Sequence, residues 1–165
     1  MPDQIYVGID PGQHGAIAIL GSGGELLDCL DLPVLGGEPL VMDLHVELTV
    51  YAPAEWTMVA IEEPFANNRA SSISQMNQGI LYGILLGALM SAGHPIERIK
   101  PQRWKSEMSV PMGSKYGPKE KKELARKRAN DLWPESAHFW AAAKHHDRAE
   151  AALIGECLRR RVMSS

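Results

Sequence analysis

Three short β-rich runs separated by glycine turns open the chain, and they limit its possible folds more than any other feature. "IYVGID" (5–10) stops at the turn cluster "PGQHG", and "AIAIL" (16–20) resumes the apolar pattern. After "SGG" (22–24), the segment "ELLDCLDLP" carries Leu26, Leu30 and Leu32 up to Pro33. Apolar runs divided this closely by Gly and Pro predict hairpins, so the chain begins as a three-stranded antiparallel meander.

The pattern then changes period. In "LVMDLHVELTVYA" the apolar positions 40, 41, 44, 48 and 51 have helical spacing and predict a helix ending near Pro53. "TMVAIEEP" (57–64) is too short an apolar core for a helix and predicts a buried strand with Glu62 and Glu63 at its C-terminal end. "SSISQMNQGILYGILLGALMSAG" (71–93) opens on serines suited to capping and closes on glycine, the start and stop of a long helix. Its glycines 79, 83 and 87 share one face, which predicts close packing of that face on the sheet.

"PIERIKP" predicts another strand, "QRWKSEMSVPMGSKYGP" (102–118) a loop, and "KEKKELARKRANDLWP" a basic helix with Pro118 at its start. "AAKHHDRAEAALIGECLRRRV" supplies a last helix with arginines near its C-terminus, where they suit the helix dipole. The order βββαβαβαα predicts an α/β domain in which a mixed sheet carries helices on its faces.

At 165 residues the chain fits one domain, residues 1–165, large enough for a sizeable core. The apolar run from Ile80 is shorter than the roughly 20 residues that cross a bilayer. The N-terminus has neither a basic leader nor an apolar signal core, and Cys29 and Cys157 are the two cysteines. These features predict a cytoplasmic protein, without membrane association and with reduced thiols. The net charge of −3 conceals an asymmetry: residues 1–100 carry 3 Lys/Arg against 12 Asp/Glu, and residues 101–165 carry 14 against 8. A basic C-terminal region can follow phosphates although the whole chain is acidic.

The carboxylates carry the chemistry. Asp10 ends the first strand at a tight turn, which alone is only a turn signature. Of Glu62 and Glu63 only one can share a sheet face with Asp10, because neighbouring strand residues point to opposite faces. Asp147 and Glu150 stand three apart on the last helix, about 60° from each other around its axis, and alone they read as a solvated face. Together these acids could converge on one point, where their repulsion calls for divalent cations. Oxygen-only clusters favour Mg²⁺ or Mn²⁺, and two such ions suit phosphodiester hydrolysis. His145 and His146 lack zinc-motif spacing, and His146, beside Asp147, is the better metal candidate of the two.

With these residues in place, the sequence resembles the RuvC family of Holliday-junction resolvases, within the RNase H-like superfamily. The matching pieces are "GIDPG" (8–12), "AIEEPF" (60–65), "SSISQMNQGILYGIL" and "HDRAEAALIG" (146–155), in order and across nearly the whole chain. The resemblance implies an RNase H-like fold with a central mixed five-stranded sheet flanked by helices. It also implies that Asp10, Glu62, Asp147 and Glu150 are the catalytic and metal-binding acids. Glu62 is chosen over Glu63 because the family pattern is Ile-Glu, two residues, then Phe.

Phe65 matches an aromatic that acts near unpaired junction bases. Lys119 and Lys122 lie nearest to a functionally important lysine of the family, while Arg69 and Arg126 are further candidate phosphate contacts. The implied activity is that of a crossover junction endodeoxyribonuclease in DNA recombination and repair. It would use two Mg²⁺ per site, with Mn²⁺ able to substitute, and attack in line with a metal-bound water. Two symmetric nicks in a four-way junction imply a homodimer, paired through the long glycine-bearing helix. Glu150 where Asp is common, and an atypical segment between Pro101 and Pro118, point to a divergent, phage-type member. A broader branched-DNA or RNase H-like nuclease, or an inactive nucleic-acid-binding module of this fold, are the alternatives. An actin-like ATPase needs a second related domain that this length does not hold.

Overall fold

The structure, a computed structural model, describes residues 4–12, 14–35, 38–39, 43, 48, 52–65 and 71–164. The opening meander forms as β1 (Ile5–Asp10), β2 (Ala16–Leu20) and β3 (Leu26–Asp31), each antiparallel to the next. A small ladder of β4 (Val34–Leu35) and β5 (Glu38–Pro39) follows. Of the helix expected between residues 40 and 51, only Asp43 and Leu48 are described, so the rest of that expectation lies outside the described residues.

Then come β6 (Thr57–Glu62), α1 (Ser72–Ser91), β7 (Ile96–Ile99), α2 (Pro101–Glu107), α3 (Pro118–Leu132) and α4 (His146–Met163). The main sheet has five strands in the order β3-β2-β1-β6-β7, and β6 runs parallel to both β1 and β7. It is therefore the expected mixed five-stranded sheet, with helices packed on both faces. Among the described residues no helix is long and apolar enough to cross a membrane. Cys29 and Cys157 are both buried free thiols.

Strand alternation sorts the sheet into two unlike faces. One face is built from branched side chains, Val7, Ile9, Ile17, Ile19, Val59 and Ile61, and receives Leu81, Leu85 and Leu89 of α1. The other is bare at its centre, where Gly8, Ala16, Ala18 and Ala60 lie beside the larger Tyr6 and Leu20, and α4 packs there through Ala149, Ala151, Ala152 and Gly155. A Cβ on Gly8 would stand 2.0 Å from the Ala151 carbonyl oxygen and 2.3 Å from the Gly155 nitrogen. Helix and strand thus meet backbone to backbone, and that proximity brings the first turn of α4 to the C-terminal end of β1.

Two expectations fail against this architecture. The glycine face of α1 does not pack on the sheet, since Gly79, Gly83 and Gly87 have no described atom within 4 Å of an added Cβ. Leucines 81, 85 and 89 stand two residues further on, about 200° around the helix, and their larger apolar surface takes the sheet side. The segment 102–118 is not wholly loop, because α2 occupies its first part, with Pro101 at the helix start and Trp104 and Met108 buried one turn apart. The last helix is preceded by a separate short turn of 3₁₀ helix, Ala143–His145.

Candidate metal centre

β1 ends at Asp10 because the chain must reverse within "PGQHG". Gly15 donates to the Gly12 carbonyl at 2.8 Å, and Gly12 N–H donates to Asp10 Oδ1 at 3.2 Å. A Cβ on Gly15 would lie 2.1 Å from the Asp10 carbonyl oxygen, so the turn admits no side chain there. Asp10 is left buried at the strand end. The parallel register Ile9↔Ile61 makes Glu62 its lateral neighbour, on the same sheet face.

Asp147 and Glu150 come down onto that point from the first turn of α4. One carboxylate oxygen from each of Asp10, Asp147 and Glu150 falls within a group whose members all lie within 4.8 Å of one another. Arg148, between them in sequence, turns away and makes a two-pronged pair with Asp31 at 2.6 and 2.8 Å, fastening the start of α4 to the end of β3. Glu63 takes the other side of the sheet, where its charge acts on Tyr82 of α1.

The electrostatics follow from the crowding. Burial holds the Asp10 carboxyl well above its ordinary range, and Glu150, Glu62 and Asp147 push it further in the same direction. Burial likewise pushes Glu62 up to about 7, against an indole hydrogen bond from Trp104 that favours the charged form. Asp147 is raised by burial, with His146 opposing and Glu150 reinforcing that rise. Asp10, Glu62 and Asp147 thus resist ionising together, and with Glu150 they present an oxygen-only donor set; neutralisation by a hard divalent cation is what such a set accepts. The residues fit such an ion.

Cationic and polar groups ring the acids. Lys105 Nζ lies 3.6 Å from Glu150 Oε1, and Lys122 and His14 are near enough to Asp147 to favour its ionised form. His146 Nε2 stands 2.6 Å from Asp147 Oδ1 while its Nδ1 faces the Ala143 carbonyl at 3.2 Å. Both ring nitrogens of His146, a candidate ligand by sequence, are therefore engaged. The side chain braces Asp147.

The candidate nucleic-acid contacts separate. Phe65, three residues after Glu62 at the end of β6, is 61% exposed, a large aromatic in solvent. Lys119 and Lys122 are exposed on α3, on the side that reaches Asp147 in the case of Lys122. Arg126 is instead engaged by the protein: it donates to the carbonyls of Trp140 and Ala141 at 2.9 and 2.7 Å and pairs with Glu123 at 2.8 Å. Arg69 lies outside the described residues. Trp104 and Lys105, which the structure places at the site, lie in a segment whose glycine and proline content predicts a loop. The signal for them was Pro101 directly after a strand, followed by the apolar i, i+4 pair Trp104 and Met108.

The backbone fold has counterparts among solved structures. Thermus thermophilus RuvC superposes with a TM-score of 0.63 at 20% identity, over 98% of this chain and 97% of that one. The fold is RuvC-like. The structure of T. thermophilus RuvC in complex with Holliday junction substrate aligns with a TM-score of 0.64 at 18% identity, over 96% of each chain. At the level of sequence alone, no protein-family pattern and no curated protein matches the chain. The RuvC-like likeness thus rests on backbone architecture, and the acidic cluster sits at the strand ends of that architecture.

Proposed function

We propose that this chain, as a single domain spanning residues 1–165, is a divalent-metal-dependent endonuclease that resolves four-way DNA junctions by paired nicks. The observation that carries the reading is the convergence of Asp10, Asp147 and Glu150 within 4.8 Å, beside Glu62, at the strand ends of a RuvC-like fold. Asp10, Glu62, Asp147 and Glu150 would hold Mg²⁺, or Mn²⁺ in its place, as two ions per site. When bound, the metal supplies neutralisation of phosphodiester charge and an acidified water.

The remaining work falls to the chain's own groups. Gly12 N–H and His146 orient Asp10 and Asp147, and the bare face between Gly8 and α4 keeps the four acids in register. Lys119 and Lys122 of α3 can attract the DNA backbone, giving binding that weakens with salt. Phe65 offers a ring for stacking on an unpaired base at the crossover. That a RuvC of the same fold has been captured on Holliday junction substrate supports branched DNA as the partner.

Two nicks need two sites, so the active form is proposed as a homodimer. Ile73, Met76, Ile80 and Met90 of α1 are exposed, on a helix whose glycine stripe is also open. Such an apolar, closely approachable surface suits a second copy.

The test compares cleavage of a four-way junction, a flap and an RNA–DNA hybrid in Mg²⁺ with the wild type and Asp10→Asn. The expected result is symmetric junction nicking by the wild type, and junction binding without cleavage by the variant. Cleavage of the hybrid alone would replace this reading with an RNase H-like one. Unchanged cleavage by Asp10→Asn would remove the site, and binding without any cleavage by the wild type would leave a binding module.

A further inference from the structure

Trp104 is fully buried in the core beneath α4, yet its one polar atom is spent on the acidic cluster: the indole Nε1–H donates to Glu62 Oε2. The other three acids each have a different neighbour holding them, Gly12 for Asp10, His146 for Asp147 and Lys105 for Glu150. Glu62 stands beside the three acids that meet within 4.8 Å, close enough to act on the Asp10 charge, and of its two oxygens one is fixed by Trp104. An indole can only donate and does not ionise, so it holds one carboxylate oxygen without competing for the cation as a ligand.

The chain path makes the contact rigid. Glu62 pairs with Ile99 across β6 and β7, and Glu63 N–H donates to the Ile99 carbonyl at 2.9 Å. Pro101 starts α2 two residues later, and Arg103 and Trp104 both donate to the Lys100 carbonyl, at 2.9 and 3.3 Å. The first turn of α2 therefore folds back over the strand end and sets the indole on the carboxylate.

We infer that Trp104 is a positioning residue for the metal centre: by holding Glu62 Oε2 it fixes Oε1 as the atom offered to the cation, and so sets cation affinity. The inference rests on the metal-dependent reading above and adds a determinant that is not itself a ligand. Groups that orient metal ligands in this way typically govern affinity by about 10- to 100-fold.

Trp104→Phe keeps a buried ring and removes the donor. Trp133→Phe does the same at a distant buried indole, which donates to the Gly24 carbonyl at 2.8 Å. Mn²⁺ binding by the full chain, measured by calorimetry, should weaken about tenfold or more in Trp104→Phe and stay within about twofold of wild type in Trp133→Phe. Equal binding by Trp104→Phe and wild type overturns the inference and leaves the metal reading standing, as does equal weakening by both variants. No binding by the wild type overturns both. Should Trp104→Phe fail to fold, ¹⁵N-indole spectra of the wild type decide, since the chain has four tryptophans to resolve. The assigned Trp104 indole resonance should move on Mg²⁺ addition and again in Glu62→Gln; a resonance unmoved by both overturns the inference.

Discussion

Lys105 Nζ stands 3.6 Å from Glu150 Oε1 and 4.9 Å above the ring of Trp104, so a lysine from α2 faces the acid cluster across a tryptophan. It supplies positive charge where the cluster most needs it. Lys105→Met keeps the stem and removes the charge. In chelator the variant should lose about 1 kcal/mol in urea denaturation, the upper range for a partly exposed pair. Saturating Mg²⁺ should shrink that loss, because an ion then neutralises the same oxygens. Junction cleavage should fall by about 10²-fold if the ammonium also meets phosphate charge. A variant equal to wild type in both measurements would reduce the pair to a surface contact.

The raised carboxyls give stability an unusual pH slope. Glu62 moves from an ordinary 4.5 to about 7 in the folded chain, and Asp10 and Asp147 move the same way. A folded state that holds its protons more tightly than the unfolded chain is favoured at low pH, and that advantage is lost as pH rises through the folded pKa. In chelator the thermal midpoint should therefore decline between about pH 4.5 and 7, the window set by the Glu62 shift. Asp31 and Glu107, whose carboxyls are lowered, act in the opposite sense at more acidic pH. Saturating Mg²⁺ should flatten the decline, and circular dichroism melts across pH with and without the ion would show it. A midpoint that climbs through this window in chelator would contradict the crowding of the acids.

How far these features could be read in the sequence depends on their range along the chain. The meander was legible because each strand ends at its own local turn signal, "PGQHG" and "SGG". Asp10, Glu62, Asp147 and Glu150 were visible as strand-end and helix residues, but their meeting depends on the contact of Gly8 with Gly155, which no local pattern encodes. Resemblance supplied it. The seven residues of α2 are too few to establish a period, so Trp104 and Lys105 were lost with the helix that carries them. In α1 both the glycines and the leucines recur every four residues. Periodicity identified two faces without saying which one the sheet would take, and the larger area removed from water decided it.

The backbone contact itself predicts a sharp sensitivity. A Cβ on Gly155 would lie 2.6 Å from Leu20 Cδ1 and 3.0 Å from the Gly8 nitrogen. Gly155→Ala must push α4 off the sheet or displace Leu20, at a cost of about 1–3 kcal/mol for an overpacked core. Because Asp147 and Glu150 ride on the same helix, the shift should also weaken Mn²⁺ binding. The two effects should appear together in urea melts and calorimetry. Normal metal binding in a destabilised variant would mean that the first turn of α4 is fixed independently, by Arg148 on Asp31.

The open glycine stripe of α1 separates the monomer from the proposed dimer. In an isolated chain, Gly83→Ala places a methyl in open space and should stabilise the helix by up to about 1 kcal/mol, since alanine loses less backbone entropy. Between two copies in close approach, the same methyl occupies the interface and should weaken association. Ile80→Asp, also on this exposed surface, should break association without the gain in helix stability. Sedimentation equilibrium and urea melts over a range of protein concentration distinguish these outcomes. A wild type that stays monomeric while Gly83→Ala simply becomes more stable would assign the exposed apolar residues of α1 to something other than a second copy.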